Sequence, residues 1–257
     1  MAANYEDPLG PKYEGRFAED GPVSQSTIRI VTYNINRGLE VNQAIEELHT
    51  YQALRDPDIL LLQEMDEAGT QRVARDLRHN YVYYPASVFH STKRDFGNAI
   101  LTKWPLSDPG KIILPHRGLI GQQLRIAVRA TVAIDAVEMS VYSVHTETYT
   151  IPSPRRKAQI SAIVDDVGNG SGHVVVGGDF NTISNRSIRR MAGQFSEIGL
   201  TRATAGLGPT INVLGLQPVA LDHIFTRGLT VLARGKVDTT KASDHFPIWV
   251  ELGLPQE

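Results

Sequence analysis

The sequence contains no cysteine. Disulfides, thiolate metal ligands and thiol nucleophiles are therefore excluded, although a cysteine-free chain suits a reducing or an oxidising compartment equally. Long apolar runs are also missing: none approaches the roughly 18 residues that a membrane-spanning helix needs. Charge of one sign is scarce, with 26 Lys and Arg against 28 Asp and Glu and a formal net charge of −2. A protein held on nucleic acid by bulk positive charge is usually strongly basic, so that mode is disfavoured, whereas a local basic groove is not. No Gly-rich phosphate loop and no HExxH pattern occur, which argues against P-loop and zinc-protease chemistry. Internal repeats of short period and low-complexity segments are absent as well.

What is there is ordinary for a globular enzyme: 257 residues, 41% of them hydrophobic and 21% charged. That length buries a large core as one domain or two tightly joined halves. Residues 1–26 are polar, with Gly and Pro throughout, and are expected to form an irregular leader. The leader lacks the apolar core of a signal peptide, but a processed exported protein would look the same, so a cytoplasmic and an exported soluble protein both stay open. Residues 27–254 are expected to form a single catalytic domain, and a monomer is expected.

Short apolar runs alternate with turn signals along the body. Strands are expected at 27–35, 58–63, 98–102, 124–134, 137–144, 173–177, 221–225 and 246–252, and helices at 41–54, 70–77 and from Ser153 to about Val167. Ser153 is expected to cap that last helix, with Pro154 at its first position. The period of two is cleanest over Leu124, Ile126, Val128, Ala130, Val132 and Ile134, and the strand after it follows a two-residue turn. Adjacent strands joined by short turns, with helices between some of them, predict a four-layer α/β sandwich. Two mainly antiparallel sheets would pack face to face with the helices outside.

Polar residues at the ends of these strands carry the functional argument. Side chains two apart share a strand face. Asn34 shares parity with Ile28 and Ile30, Glu64 with Leu60 and Leu62, His145 with Met139 and Val141, and Asp179 and Asn181 with Val175. Two further strands open on Asp222-His223 and Asp244-His245. In antiparallel sheets, the starts of some strands lie beside the ends of others, so all these groups can meet at one rim. Carboxylates with an asparagine amide suit a hard cation such as Mg²⁺, and a carboxylate–histidine pair suits proton handling. Each residue also has an ordinary reading: a turn Asn, a solvated strand-end Glu, a packed His223. His49, His79, His90 and His116 read as surface or packing residues. Six strand ends showing one arrangement weaken those readings.

The same stretches carry a resemblance. Thr32-Tyr33-Asn34-Ile35, Leu61-Leu62-Gln63-Glu64, Gly97-Asn98-Ala99-Ile100-Leu101, Val144-His145-Thr146, Gly177-Gly178-Asp179-Phe180-Asn181-Thr182, Leu221-Asp222-His223-Ile224-Phe225 and Ser243-Asp244-His245-Phe246-Pro247 together resemble the endonuclease/exonuclease/phosphatase superfamily. The resemblance spans about Ile28 to Leu252. It implies a divalent-metal-dependent hydrolase of phosphate esters, a phosphodiesterase first. A phosphomonoesterase or a phospholipid or inositol-phosphate hydrolase on the same fold is the alternative. By the same resemblance Glu64 is the principal metal ligand, helped by Asn34 and Asp244, with Mg²⁺ as the ion and Mn²⁺ as its substitute. Asp179 orients or deprotonates the attacking water, and Asn181 holds the water or a phosphate oxygen. His245 contacts the scissile phosphate with Asp222 as its orienter, and His145 contacts the phosphate or protonates the leaving group. Some members pair the histidine at the 145 position with a glutamate; here Asn98 is offered, and it is read as a phosphate or substrate contact.

Arg37 and Arg129 complete the candidate substrate contacts. The ordinary readings are an exposed arginine after a strand for Arg37, and ion-pairing or helix-covering residues on the outer face for Arg125 and Arg129. Segments 88–96, 117–123 and 146–154 are the expected substrate walls. Nucleic acid, a phospholipid head group, a sugar or inositol phosphate and a nucleotide-derived small molecule all remain open as the substrate. A non-catalytic binding module would be favoured by loss of Glu64, Asp179 or His245, and all three are present.

Overall fold

Among the described residues, thirteen strands and four α-helices follow one another along the chain. They run β1 Tyr13–Gly15, β2 Thr27–Asn34, α1 Val41–Thr50, β3 Ile59–Met65, α2 Glu67–Asp76, β4 Asn80–Val88, β5 Asp95–Thr102, β6 Leu106–Ile113, β7 Ile126–Ile134 and β8 Val137–His145. Then come α3 Ser153–Gly168, β9 His173–Asp179, α4 Asn185–Glu197, β10 Thr201–Arg202, β11 Asp222–Arg227, β12 Thr230–Lys236 and β13 Ile248–Gly253. The structure is a computed structural model that describes residues 3–19, 25–119, 121–148, 151–170, 172–211 and 219–255. Among them, no helix is long and apolar enough to cross a membrane.

The strands form a seven-stranded sheet, ordered β1-β4-β5-β3-β2-β13-β12, and a six-stranded sheet, ordered β10-β11-β9-β8-β7-β6. Pairings are antiparallel except β2 with β3 and β8 with β9. Each of these two parallel pairs is joined by a helix, α1 in one sheet and α3 in the other, as a parallel connection requires. The carboxyl ends of parallel strands in such units are where ligand crevices form. Here both units end at the same rim, with Asn34 opposite Gln63 and His145 opposite Asp179. Antiparallel β11 starts there too, with Asp222 opposite Asp179.

The expected four-layer sandwich is observed. Its interior is built by Ile28, Ile30, Leu61 and Ile100 of one sheet against Ile126, Val128, Val141, Val175 and Ile224 of the other. The opposite faces are covered by helices: Leu48 and Val73 pack on Val31, Tyr33 and Leu60, and Ile163, Met191 and Phe195 pack on Val144, Val176 and Phe225. Period-two alternation over β7 and the turn at Asp135 (φ 52°) give the β7–β8 hairpin as expected.

Several expectations need correction. The segment expected to be irregular contributes β1, which pairs with β4, and its Asn4 bridges Ser87. Ser153 lies inside α3, and the capping position is Pro152, with no side-chain cap bond. Helix α4 and strands β4, β6 and β12 lay outside the expected elements.

Candidate active site

Five strand ends, of β2, β3, β8, β9 and β11, and the loop before β13 converge on the common rim. Asn34 projects inward with Ile28 and Ile30, as parity requires. Its Nδ2 donates to Glu64 Oε1 at 3.2 Å and to Asp179 Oδ2 at 3.1 Å, and its Oδ1 accepts from the Asn36 amide at 3.0 Å.

Glu64 reaches the rim by a different route from the one parity suggests. Leu60 and Leu62 face the helices, not the sandwich interior. The ladder with β5 slips between Leu62 and Met65, and Glu64 takes a left-handed backbone (φ 60°). This bulge re-aims the carboxylate, as bulges beside functional sites do. Glu64 Oε2 accepts from the Arg37 amide at 3.0 Å, and the side chain keeps 18% of its surface exposed. Gln63 takes the interior place instead: Nε2 donates to Ser143 Oγ at 3.0 Å and Oε1 accepts from Thr32 Oγ1 at 3.2 Å.

Asp179 is the hub. Its Oδ1 accepts from the Asn181 amide at 2.9 Å and its Oδ2 from Asn181 Nδ2 at 3.1 Å. His145 Nε2 lies 3.5 Å and His245 Nε2 3.8 Å from Oδ2. Burial raises the Asp179 pKa; His245 opposes the shift, and the Asp222 and Glu64 carboxylates reinforce it.

His245 Nδ1 lies 2.9 Å from Asp222 Oδ2 and 3.2 Å from Oδ1. Burial disfavours its charge, but Asp222 and then Asp179 outweigh burial and push the imidazole up to about 10. Asp222 is itself fixed by Thr210, whose Oγ1 donates to Oδ2 at 2.6 Å and accepts from the Asp222 amide at 3.0 Å. The loop carrying Asp244 and His245 is clamped from below by buried Glu47 of α1. Glu47 Oε1 accepts from the Lys241 and Ala242 amides at 2.6 and 3.1 Å, and its Oε2 from Tyr33 Oη at 2.9 Å.

His145 is the opposite case. Burial, Arg125 and His245 all hold its pKa well below the usual histidine range. It is a neutral ring, packed on Phe96 at 5.6 Å, with Nδ1 buried and unpartnered. Its Nε2 stands 3.8 Å from Glu64 Oε1.

The remaining candidates divide. Arg37 reaches the rim: its amide holds Glu64, and its guanidinium stands 5.5 Å from the Phe89 ring centre. Asp244 is half-buried, and its hydrogen bond among the described residues is from Ser243 Oγ at 3.4 Å. Asn98 faces the sandwich interior, where its Nδ2 donates to the carbonyls of Ile126 and Ser143 at 3.0 and 3.1 Å. That amide staples the two sheets beneath the rim and has no hydrogen left for a phosphate. Arg129 is corrected: it is exposed on the helix-facing side of β7, 3.8 Å from Asp166 of α3, three residues along the strand from the rim. His223 faces the same outer layer, 3.0 Å from Thr182 Oγ1, and burial and Arg202 drive its pKa down to about 3.

Three contributors, Thr210, Glu47 and Glu147, escaped sequence reasoning. Thr210 lies in a turn-rich stretch without periodicity, and Glu47 reads as a helix-surface acid. Arg125 and Glu147 form a buried ion pair at the rim, Nε to Oε2 3.3 Å, with Arg125 5.0 Å from the Phe96 ring centre. The one available signal was Glu147 two residues beyond His145, on the same parity.

The family profile described as "Endonuclease/Exonuclease/phosphatase family" matches residues 31–245, which takes in every motif at the rim. The chain belongs to the endonuclease/exonuclease/phosphatase family. Among curated family relatives it is similar to a UPF0294 protein of Vibrio cholerae serotype O1, 29% identical over 120 residues, 47% of this chain and 42% of that protein. A UPF0294 protein of Yersinia pseudotuberculosis is 30% identical over 132 residues, 50% of this chain and 49% of that protein. The matched part thus spans about half or less of these relatives' length. Among solved structures, the endonuclease/exonuclease/phosphatase from Bacteroides vulgatus superposes with TM-score 0.73 at 16% identity, covering 90% of this chain and 100% of that one. The human Nocturnin catalytic domain with a bound sulfate anion gives 0.70 at 19%, covering 95% and 98%. Humanized D. rerio TDP2 gives 0.72 at 17%, covering 89% and 100%. At such identities these superpositions establish the shared fold.

Proposed function

We propose that the protein is a divalent-metal-dependent phosphoesterase, acting first on phosphodiesters. The observation that carries this reading is the convergence of Asn34, Glu64, His145, Asp179, Asn181, Asp222 and His245 through contacts of 2.9–3.8 Å.

The charge balance of that cluster fits a dication. Glu64, Asp179 and Asp222 bring three carboxylates together, His245 supplies one positive charge, and His145 is neutral. Two alternative donor sets exist. Asp179, Asp222 and His245 offer atoms within 4.8 Å of one another. In that set, however, Asp222 is 3% exposed and already paired with His245 and Thr210. Glu64 is partly exposed and offers carboxylate oxygen at the mouth of the site, so Glu64 with the Asn34 carbonyl is the better holder of Mg²⁺ or Mn²⁺, with Asp244 on the neighbouring loop. A bound dication would offset the phosphate's charge and polarise the ester.

The chain's own groups then divide the chemistry. Asp179, its basicity raised by burial, takes the proton of the attacking water. Asn34 and Asn181 aim it by donating to its oxygens; both Asn181 amide hydrogens are committed, to Asp179 Oδ2 and to the Thr146 carbonyl at 3.0 Å. Asn181 is therefore the positioning residue for Asp179, with its carbonyl oxygen available to the water. His245, kept cationic by Asp222, stabilises charge building on the phosphoryl oxygens. His145 contributes a neutral N–H rather than a positive charge.

The test is hydrolysis of bis(p-nitrophenyl) phosphate with Mg²⁺ and Mn²⁺, followed by supercoiled DNA, single-stranded RNA, sphingomyelin and inositol phosphates. Asp179→Asn should lower turnover by about 10³-fold or more. Failure of the wild type on every phosphate ester, or full activity in Asp179→Asn, sinks the reading.

A further inference from the structure

Beside the rim, α3 and α4 leave a small, open cleft between them. It is lined by Thr146, Ser153, Arg156, Lys157, Ser187 and Arg190, with the apolar floor supplied by Phe180 and Met191. The first half of α3 carries Arg155, Arg156 and Lys157, and the first half of α4 carries Arg186, Arg189 and Arg190. Their acids lie at the far ends, at Asp165, Asp166 and Glu197. Among the described residues none of the six cations makes an ion pair. Asp166 of α3 is engaged by Tyr142 and Arg129 instead. In a chain of net charge −2 this is a strong local excess of positive charge.

A second, independent feature lies on the wall shared with the catalytic cluster. Thr146 is 1% exposed, lines the cleft, and its Oγ1 is buried with no hydrogen-bond partner. Buried hydroxyls are nearly always satisfied, so this one has bonding capacity left for an incoming polar group. The Thr146 backbone is locked into the site, its amide donating to the Asp179 carbonyl at 3.0 Å and its carbonyl accepting from Asn181 Nδ2 at 3.0 Å. Thr146 and Thr182 directly follow His145 and Asn181, and these backbone bonds put one wall of the cleft in contact with the cluster. Two cations are also pre-oriented: Arg156 Nη1 donates to the Ile151 carbonyl at 2.8 Å, and Arg190 Nη1 to Ser153 Oγ at 3.5 Å. The other N–H groups of those forks are left to bind an anion.

We propose that the cleft between α3 and α4 is a second anion subsite that takes a phosphate group of the substrate adjacent to the one being cleaved. This rests on the phosphoesterase reading above and narrows it to substrates with at least two phosphates. The second phosphate can come from a nucleic acid strand or from a small molecule with two phosphates.

The experiment reads binding, not turnover. Fluorescence anisotropy of a labelled ten-residue oligothymidylate is measured against salt, with metal withheld to prevent cleavage. The proteins are wild type, Arg156→Gln/Arg190→Gln, and a charge-matched control, Arg16→Gln/Arg72→Gln, whose arginines are exposed elsewhere. Inorganic pyrophosphate is run as competitor. Loss of two phosphate contacts should raise Kd at least about fivefold and flatten the log–log salt slope by about 1.4, while the control stays at the wild-type value. A rise for oligothymidylate alone identifies the strand as the source; a parallel rise in the pyrophosphate inhibition constant identifies a small molecule as an equal source. If wild type binds neither probe, or the cleft variant binds both as tightly as wild type, the subsite is refuted. Hydrolysis of bis(p-nitrophenyl) phosphate by the wild type is assayed alongside, because its absence refutes the phosphoesterase reading whatever the binding shows.

Discussion

Replacing Asp222 by Asn changes one charge and almost no shape. Asn keeps an oxygen for Thr210 Oγ1, which donates to Asp222 Oδ2 at 2.6 Å. What is lost is the carboxylate 2.9 Å from His245 Nδ1. At that separation, and an effective dielectric constant of about 20, the attraction is about 6 kcal/mol. This corresponds to a ceiling of about four pH units. Burial works against the imidazolium throughout, so the His245 pKa, about 10 in the wild type, should fall by at least about two pH units. The alkaline limb of kcat/KM at saturating Mg²⁺ should move down with it, and the imidazole should titrate correspondingly lower by nitrogen-detected NMR. Stability should follow with a fixed sign. A histidine whose folded pKa exceeds its unfolded value of about 6.5 stabilises fully below that pH and loses the contribution as pH rises through about 10. The stability gap between wild type and Asp222→Asn should therefore be widest in mild acid and close toward pH 10. An unmoved alkaline limb together with an unmoved NMR titration would show that Asp222 does not charge His245, and the reasoning would fall.

Three further outcomes are expected. EDTA should abolish hydrolysis and Mg²⁺ or Mn²⁺ should restore it, with the same ions raising the Tm of the wild type but not of Glu64→Ala; activity persisting in EDTA would count against Glu64 as a metal holder. Glu47→Ala should cost about 2–4 kcal/mol in urea unfolding and lower kcat, because two backbone amides and Tyr33 Oη lose their acceptor; a kcat equal to wild type would show that the His245 loop holds itself. Asn98→Ala should strip the Ile126 and Ser143 carbonyls of a donor and destabilise the fold by about 2–3 kcal/mol, whereas unchanged Tm with a raised KM would return Asn98 to the substrate.

The rim was legible because it is written in strand ends: Asn34, His145 and Asp179 each continue the inward set of an apolar strand, and Asp222 opens one. Parity failed at Glu64, where a bulge with φ 60° puts the right residue at the rim through the wrong face. A bulge has no signature in a run such as Leu60-Leu61-Leu62. The resemblance offered Asn98 as a substrate contact, but its amide is committed to stapling the sheets. Helix α4 was invisible because Ile188, Met191 and Phe195 are its only buried anchors in an otherwise polar stretch. Strand β4 reads continuously buried, with Pro85 in its middle, so alternation gave no cue. Groups that act through the loop backbone, Thr210 and Glu47, are set by tertiary contact across at least 11 and up to 195 residues of chain, beyond the reach of any local pattern.

Each sheet ends one parallel pair at the rim, so neither sheet owns the reactive centre. Asn34 and Glu64 ride on one and His145, Asp179 and Asp222 on the other, with the apolar interior and cross-sheet hydrogen bonds such as Gln63–Ser143, Ser143–Leu62 and Asn98–Ser143 fixing their registry. The arrangement works like a vernier. A slip of one sheet over the other too small to open a void or shift a melting curve still changes every distance between the two halves of the cluster. Reactivity depends on sub-ångström alignment, so catalytic rate in this molecule is a finer gauge of how the two sheets are docked than any measure of unfolding.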